Sequence, residues 1–281
     1  MASGPQNVSN SLTLIILTQP QIIFDLPDRA LATNLSVIVI THNESARLRA
    51  CLESVAFAGE LVVVDSGSTD DTVALARSLG ARVSQTADWP GFGPQKNRAL
   101  ELATGTWVLS IDADERVTPQ LREQIEAAVA AGEFDAYSVG RRSSYCGQYM
   151  NHSGWYPDRV VRLVRRGKAR FSDALVHETL QVRGPVGRLE GDLLHESYAD
   201  LETVLDKVNR YSTAGAESLR REGVQGSLGK ALGHGLWAFL RTYLFRRGFL
   251  DGRLGFALAI SNAEATYYRY LKLWLLQRGS G

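Results

Sequence analysis

The sequence predicts an α/β protein whose core is a mostly parallel sheet flanked by helices. Three observations predict it. Residues 35–40 (LSVIVI) and 61–64 (LVVV) are β-branched apolar runs, as strands buried on both faces require. Helical periodicity separates them, with Leu48, Cys51, Leu52 and Val55 recurring on one face. Polar residues cluster immediately after the apolar runs, where ligands of parallel sheets bind.

The elements follow in order. After the second strand, residues 70–79 read as a helix stopped by Gly80. A short strand at 81–83 precedes a helix over 94–103 and a strand at 106–111 (TWVLSI). Thr118 followed by Pro119 is an N-cap with a first-turn proline, opening a helix through Ala131. Residues 134–140 read as a further strand. Strands alternating with helices imply the parallel sheet.

Ahead of this region, residues 1–34 form an extension with a short apolar stretch at 12–17, then Pro20 and Pro27. No basic segment or small-residue cleavage site marks it as a signal peptide, and the stretch is too short to span a bilayer. The expected organisation is therefore an extension (1–34), an α/β domain (35–200) and a helical module (201–281).

The chain has 281 residues with 31 Lys+Arg and 30 Asp+Glu, 44% hydrophobic and 22% charged, which is ordinary globular usage. Two cysteines cannot build a disulfide framework, so a reducing compartment fits best, and no Cys/His array suggests structural zinc. The near-neutral net charge of +1 conceals polarity. Residues 141–170 carry eight Lys+Arg against one acid, and residues 220–281 carry ten against three, so the remainder is strongly acidic. Basic segments suit phosphates or anionic lipid, and equally a solvated face.

Chemistry concentrates at the strand ends. Thr41-His42-Asn43-Glu44 follows the first strand, Asp65-Ser66-Gly67-Ser68-Thr69-Asp70 the second, and Asp112-Ala113-Asp114-Glu115 the fourth. Two carboxylates one residue apart repel unless a cation joins them. A divalent metal bridging them to a diphosphate removes that repulsion, although solvated turn aspartates fit the pattern too. Asp65, at its strand end, could accept an imide N–H from a pyrimidine. Lys96 and Arg98 could contact phosphates or base, and are equally placed to be a solvated helix start.

These pieces together resemble glycosyltransferase family 2, the inverting nucleotide-sugar transferases with the GT-A, Rossmann-like fold. The matching segments are VIVITHNE (37–44), VVVDSGSTDDT (62–72), GPQKNRAL (93–100) and LSIDADE (109–115), followed by WYPDRVVRL (155–163), VHE (176–178) and LLHESY (193–198). The later ones resemble a bacterial subgroup that includes lipopolysaccharide core β-glucosyltransferases. The resemblance implies that Thr41, Asn43 and Glu44 border the nucleotide pocket. Asp65 would bind uracil, Lys96 and Arg98 would lie over base and diphosphate, and Asp112 would face ribose or sugar. Asp114, with Asp112 and His195, would hold Mg²⁺ or Mn²⁺. An inverting transfer needs a base for the acceptor hydroxyl, with Glu178 the first candidate and Asp158 the second. Trp155 and Tyr156 could stack on a sugar.

The implied partners are a UDP-sugar, an anionic glycolipid acceptor and a membrane surface, which would place the protein in the cytoplasm, peripheral on the inner face of the bacterial inner membrane. Residues 201–221 read as a helix with Lys207, Arg210 and Arg220 on polar positions. Residues 230–247 and 249–278 mix aromatics with Arg and Lys without a spanning run, which suits an interfacial element, a helical cap or a homo-oligomer interface. The lack of a GxGxxG after the first strand argues against a nicotinamide dehydrogenase, and no recognised module supports nucleic-acid binding.

Overall fold

The structure is a computed structural model that describes Met1 and residues 34–172 and 178–278. The expected extension over 1–34 therefore lies, but for its two ends, outside the described residues, as do Val176 and His177.

The chain opens with β1 (Leu35–Thr41), α1 (Ser45–Ser54), β2 (Glu60–Asp65), α2 (Thr72–Ser78), β3 (Arg82–Gln85), α3 (Phe92–Leu102) and β4 (Trp107–Ser110). β1 pairs in parallel with both β2 and β4, and β2 with β3. Residues 35–39 of β1 are all buried because helices cover both faces of the sheet, which explains an apolar run without alternation. Leu48, Cys51, Leu52 and Val55 form the buried face of α1, as their spacing predicts.

A short β5 (Glu115–Val117) leads to α4 (Pro119–Ala131). Thr118 Oγ accepts from Leu121 N at 3.3 Å, and Gly132, at φ 62°, ends the helix in a left-handed turn that a Cβ would strain. Then come β6 (Ala136–Tyr145), β7 (Gln148–Tyr149), β8 (Asp158–Arg165), β9 (Ala169–Phe171), β10 (Leu180–Val182) and β11 (Val186–Tyr198). Among the described residues the main sheet runs β3-β2-β1-β4-β8-β6-β11-β5. Its first four strands are parallel, and β8 enters antiparallel between β4 and β6, so the sheet is mixed beyond β4. The chain leaves β1 toward β3 and returns for β4 on the other side. That reversal makes a crevice at the carboxyl ends of β1 and β4.

The C-terminal helices are α5 (Leu201–Arg221), α6 (Leu228–Leu240) and α7 (Gly252–Arg278). The helix expected through residue 247 ends as a π-helical turn, Arg241–Phe245, and a 3-10 turn, Gly248–Asp251, leads into α7. Gly255 permits this tight entry, since a Cβ there would fall 1.9 Å from the Gly248 carbonyl oxygen. α7 packs on α5 and α6. Tyr145 and Met150 share a buried cluster with Val204, Val208 and Leu258, so α5 and α7 are seated on the sheet. No helix among the described residues is long and apolar enough to cross a membrane.

Candidate active site

At the carboxyl ends of β1 and β2 lies a cavity of about 420 Å³, lined by Ile40, Thr41, His42, Glu44, Ser66, Trp89 and Phe92. Trp89 and Phe92 meet edge to face, 4.9 Å between centroids. Such an apolar wall with a polar rim suits a planar heterocycle. Below it, the Asp65 carboxylate accepts from Thr41 Oγ1 (2.9 Å), Gly67 N (3.1 Å), Ser68 N (2.9 Å) and the Ser68 hydroxyl. Four bonds fill a carboxylate's acceptor positions. Asp65 thus braces the 66–68 turn. Asn43, at φ 57°, fixes the same wall: its N donates to Ser68 Oγ and its Oδ1 accepts from Thr69 N, each at 2.8 Å. Burial raises the Glu44 carboxyl pKa; Arg47 opposes this, while Asp114, Asp70 and Asp112 add to it.

The turn after β4 is closed by Asp112 N on Glu115 Oε2 and Glu115 N on the Asp112 carbonyl, both 2.9 Å. Asp112 Oδ1 meets Lys96 Nζ at 2.8 Å, and its Oδ2 meets the Arg162 guanidinium at 2.8 Å. Lys96 continues to Glu178 Oε1 at 2.8 Å. Arg162 continues to the fully buried Glu115 at 2.5 Å. Burial would raise the Asp112 pKa, but Lys96 and Arg162 outweigh it and hold it well below the usual carboxylate range. Burial likewise acts against charged Lys96, and Asp112 and Glu178 reverse this, so its pKa is raised.

Asp114, two residues on, stands apart from these cations. Its carboxylate meets His195 Nε2 at 3.4 Å, while Ser143 Oγ lies 2.9 Å from His195 Nδ1. Glu196 N donates to the Asp114 carbonyl at 2.9 Å. β11 therefore brings His195 to the strand-end aspartate, 81 residues away in sequence.

The model for glycosyl transferase family 2 matches residues 36–175, from β1 past β9. The lipopolysaccharide core biosynthesis glycosyltransferase LpsC of Rhizobium meliloti is 35% identical over 84% of this chain and 93% of its own length. An uncharacterized glycosyltransferase of Rickettsia typhi is 32% identical over 85% and 86%. This chain belongs to glycosyltransferase family 2. The crystal structure of S. aureus TarS 1-349 with UDP-GlcNAc superposes with a TM-score of 0.46, at 16% identity, over 88% of this chain and 92% of that one.

In this glycosyltransferase the expected site residues divide into groups. Thr41 and Glu44 line the cavity and Asp65 and Asn43 brace its wall, while Lys96, Asp112 and Glu178 form one charge cluster and Asp114 and His195 a separate pair. Arg98 is joined to the cavity wall rather than to the acids: its Nη1 donates to Gln95 Oε1 at 3.0 Å, and Gln95 Nε2 donates to Ser66 Oγ at 2.9 Å. On a helix, residues 96 and 98 point to opposite sides, and Arg98 pairs with Asp88 through two bonds of 2.7 and 2.9 Å. It ties α3 to the loop carrying Trp89. Asp158 is held by Arg141 at 2.7 Å, and Arg141 reaches within 4.0 Å of Glu115. Trp155 packs on Tyr145 and Tyr198, and Tyr156 donates to Asp192 (2.9 Å) beneath Arg142. Both are placed as packing residues.

The residues expected around a divalent metal have different partners. Asp114 and His195 offer an oxygen and an imidazole nitrogen that fit one. Asp112 is bridged by Lys96 and Arg162, which already offset its charge and leave one acceptor position on each oxygen. Among the described residues no group of three or more His, Cys, Asp or Glu is arranged to hold a metal. Sequence reasoning missed Arg162 and the Trp89–Phe92 wall. The arginine's signal was a cation within the buried stretch of β8, flanked by Val161 and Leu163.

Proposed function

We propose that the protein moves a hexosyl group from a UDP-sugar to a hydroxyl of a lipopolysaccharide core or related glycolipid, by single displacement with inversion. Glucose is the sugar that the subgroup resemblance implies. The observation carrying the reading is the junction of the aromatic-walled cavity with the Asp112–Asp114 turn at the β1/β4 crevice. The name of the R. meliloti relative supports the acceptor class.

In this reading the cavity takes the base, with Trp89 and Phe92 against its ring. Asp112, fixed by Lys96 and Arg162, accepts hydrogen bonds from ribose or sugar hydroxyls. Asp114 and His195 hold Mg²⁺ or Mn²⁺, which supplies positive charge at the leaving diphosphate. Glu178 takes the proton of the acceptor hydroxyl as its oxygen bonds to the anomeric carbon, and the bond to the diphosphate breaks with its electrons on UDP. The acceptor lies on a membrane surface met by the C-terminal helices, at the inner face of the inner membrane.

A panel of nucleotide-sugars assayed for metal-dependent hydrolysis tests this. Release of UDP from a UDP-hexose, suppressed by chelator, is the expected result. Turnover of another nucleotide's sugars alone would overturn the donor, and no turnover of any would overturn the enzyme reading.

A further inference from the structure

Lys207 belongs to the C-terminal helices, yet its ammonium is fastened to the strand end that holds Asp114. Its Nζ donates to the Ser197 carbonyl at 2.7 Å and lies 4.1 Å from the centroid of the Tyr198 ring. Just before these residues on β11, His195 stands 3.4 Å from Asp114 and Glu196 N donates to the Asp114 carbonyl. Among the described residues no carboxylate pairs with Lys207. Burial acts against the charged form and pulls its pKa below that of an ordinary lysine, with Asp114 opposing. A half-buried cation held by a carbonyl and a ring face, but by no anion, is incompletely compensated. Arg47 adds a second cation from α1, in contact with Glu44 at 3.9 Å. Lys207 is thus turned inward to the end of β11, where Ser197 lies two residues past His195.

We infer that Lys207 is a donor-site residue whose ammonium binds the diphosphate of the nucleotide-sugar. The inference rests on the nucleotide-sugar reading and adds to it a contribution from α5. An ammonium has three donors, and one is taken by Ser197. With a second turned to the Tyr198 ring face, the third is available to a phosphate oxygen. As the bond from the anomeric carbon to the diphosphate oxygen breaks, that oxygen gains negative charge, and a cation already fixed beside it meets the charge without reorganising. Helix α5 is then part of the active site, and the C-terminal module is needed for donor binding as well as for any acceptor.

Calorimetric titration of the full chain with UDP and with uridine, at one fixed Mn²⁺ concentration, separates this contact from the base pocket. Lys207→Met and Lys207→Gln should weaken UDP about tenfold or more, the size of a charge-assisted hydrogen bond, and leave uridine unchanged. Lys207→Arg should stay within about threefold of wild type, since the charge is kept. Thermal midpoints identify any variant that fails to fold, and the other then carries the comparison. Wild-type UDP affinity in a folded Met or Gln variant would overturn the inference, as would equal losses for UDP and uridine. Wild-type protein that binds no UDP would instead overturn the donor reading beneath it.

Discussion

Glu178 and Asp158 are the two ends of one chain of alternating charges. Glu178 meets Lys96, Lys96 meets Asp112, Asp112 meets Arg162, and Arg162 meets Glu115, each within 2.8 Å. Glu115 then faces Arg141 at 4.0 Å, which meets Asp158 at 2.7 Å. The two candidate bases therefore lie on either side of Asp112 along this chain of contacts, and their surroundings differ. Glu178 is 16% exposed and lies one cation from Asp112, whereas Asp158 is 40% exposed and three groups away.

Proximity favours Glu178 as the proton acceptor. Glu178→Gln should lower kcat about 100-fold or more, with donor affinity changed little, while Asp158→Asn stays within about tenfold. Steady-state transfer with donor affinity measured in parallel decides it. The reverse ranking would move the base to Asp158.

Arg162 sits between two carboxylates, one of them fully buried. Arg162→Met removes the cation and leaves Glu115 uncompensated, for a loss of about 3–5 kcal/mol in urea unfolding. Adding Glu115→Gln should recover part of it, because the amide needs no counter-charge. A double variant no more stable than the single would show that the pair is not coupled.

These charge contacts set the limit of what was legible. β1 and β2 could be read because burial on both faces leaves a run of Val and Ile, and α4 because Thr118, Pro119 and Gly132 are local signals. The turn at Asp112 and Asp114 could be read from its place after an apolar run. Partners brought in by topology could not. Arg162 reaches Asp112 only because β8 lies antiparallel beside β4, and His195 reaches Asp114 only because β11 closes the sheet beside β5. Asp65 looked like a ligand because its type and place fit one, but whether its oxygens are free depends on the fold of the 66–68 turn. Arg98 and Lys96 looked alike in sequence and part because of helical phase.

Asp114 and His195 are the pair proposed to hold a metal. In Asp114→Ala the dependence of UDP affinity on Mn²⁺ should vanish, and in His195→Ala it should weaken, with uridine binding retained in both. Titrations with Mn²⁺ and with chelator provide the check. Unaltered metal dependence in Asp114→Ala would remove this residue from the donor set.

Glu60, at the start of β2 and away from the crevice, gives a pH test of stability. Burial acts to raise its pKa, but hydrogen bonds from Ser36, Thr104 and Arg82 outweigh it and bring it from 4.5 to about 2. The folded form thus binds its proton less readily than the unfolded form. The stabilisation is complete above pH 4.5 and fades as pH falls toward 2. Glu60→Gln should cost roughly 1–2 kcal/mol at pH 7, reduced by solvent at this partly open site. Urea midpoints should converge with wild type as the pH falls from 5 toward 2 (about 0.5-unit steps suffice to follow the titration). A difference independent of pH would mean that the lost shape, not the charge, matters.

Leu232, Leu236, Trp237, Leu244, Phe245, Phe249, Leu250 and Phe256 are exposed along α6, the two short turns and the start of α7, with Phe245 at 69% and Leu236 at 61%. Such a contiguous apolar crest marks an interaction surface. Arg241, Arg246, Arg247 and Arg253 border it, and none of them pairs with a carboxylate among the described residues. Two copies meeting through this face would set unpaired arginines near one another, whereas lipid phosphates would neutralise them, so an anionic bilayer is the better match. The crest is also joined to the sheet beside the site: the buried Asp251 carboxylate accepts from Asn151 N and Ser153 Oγ, in the loop that leads to Trp155 and Asp158. Sedimentation with anionic vesicles should carry the protein down at low salt and release it as salt rises. Leu236→Ser with Phe245→Ser should weaken binding at every salt concentration, and Arg246→Gln with Arg247→Gln should chiefly flatten the salt dependence. Wild-type protein recovered equally with and without vesicles would count against the bilayer, and a shift to dimer that these same apolar substitutions abolish would assign the crest to a second copy of the chain.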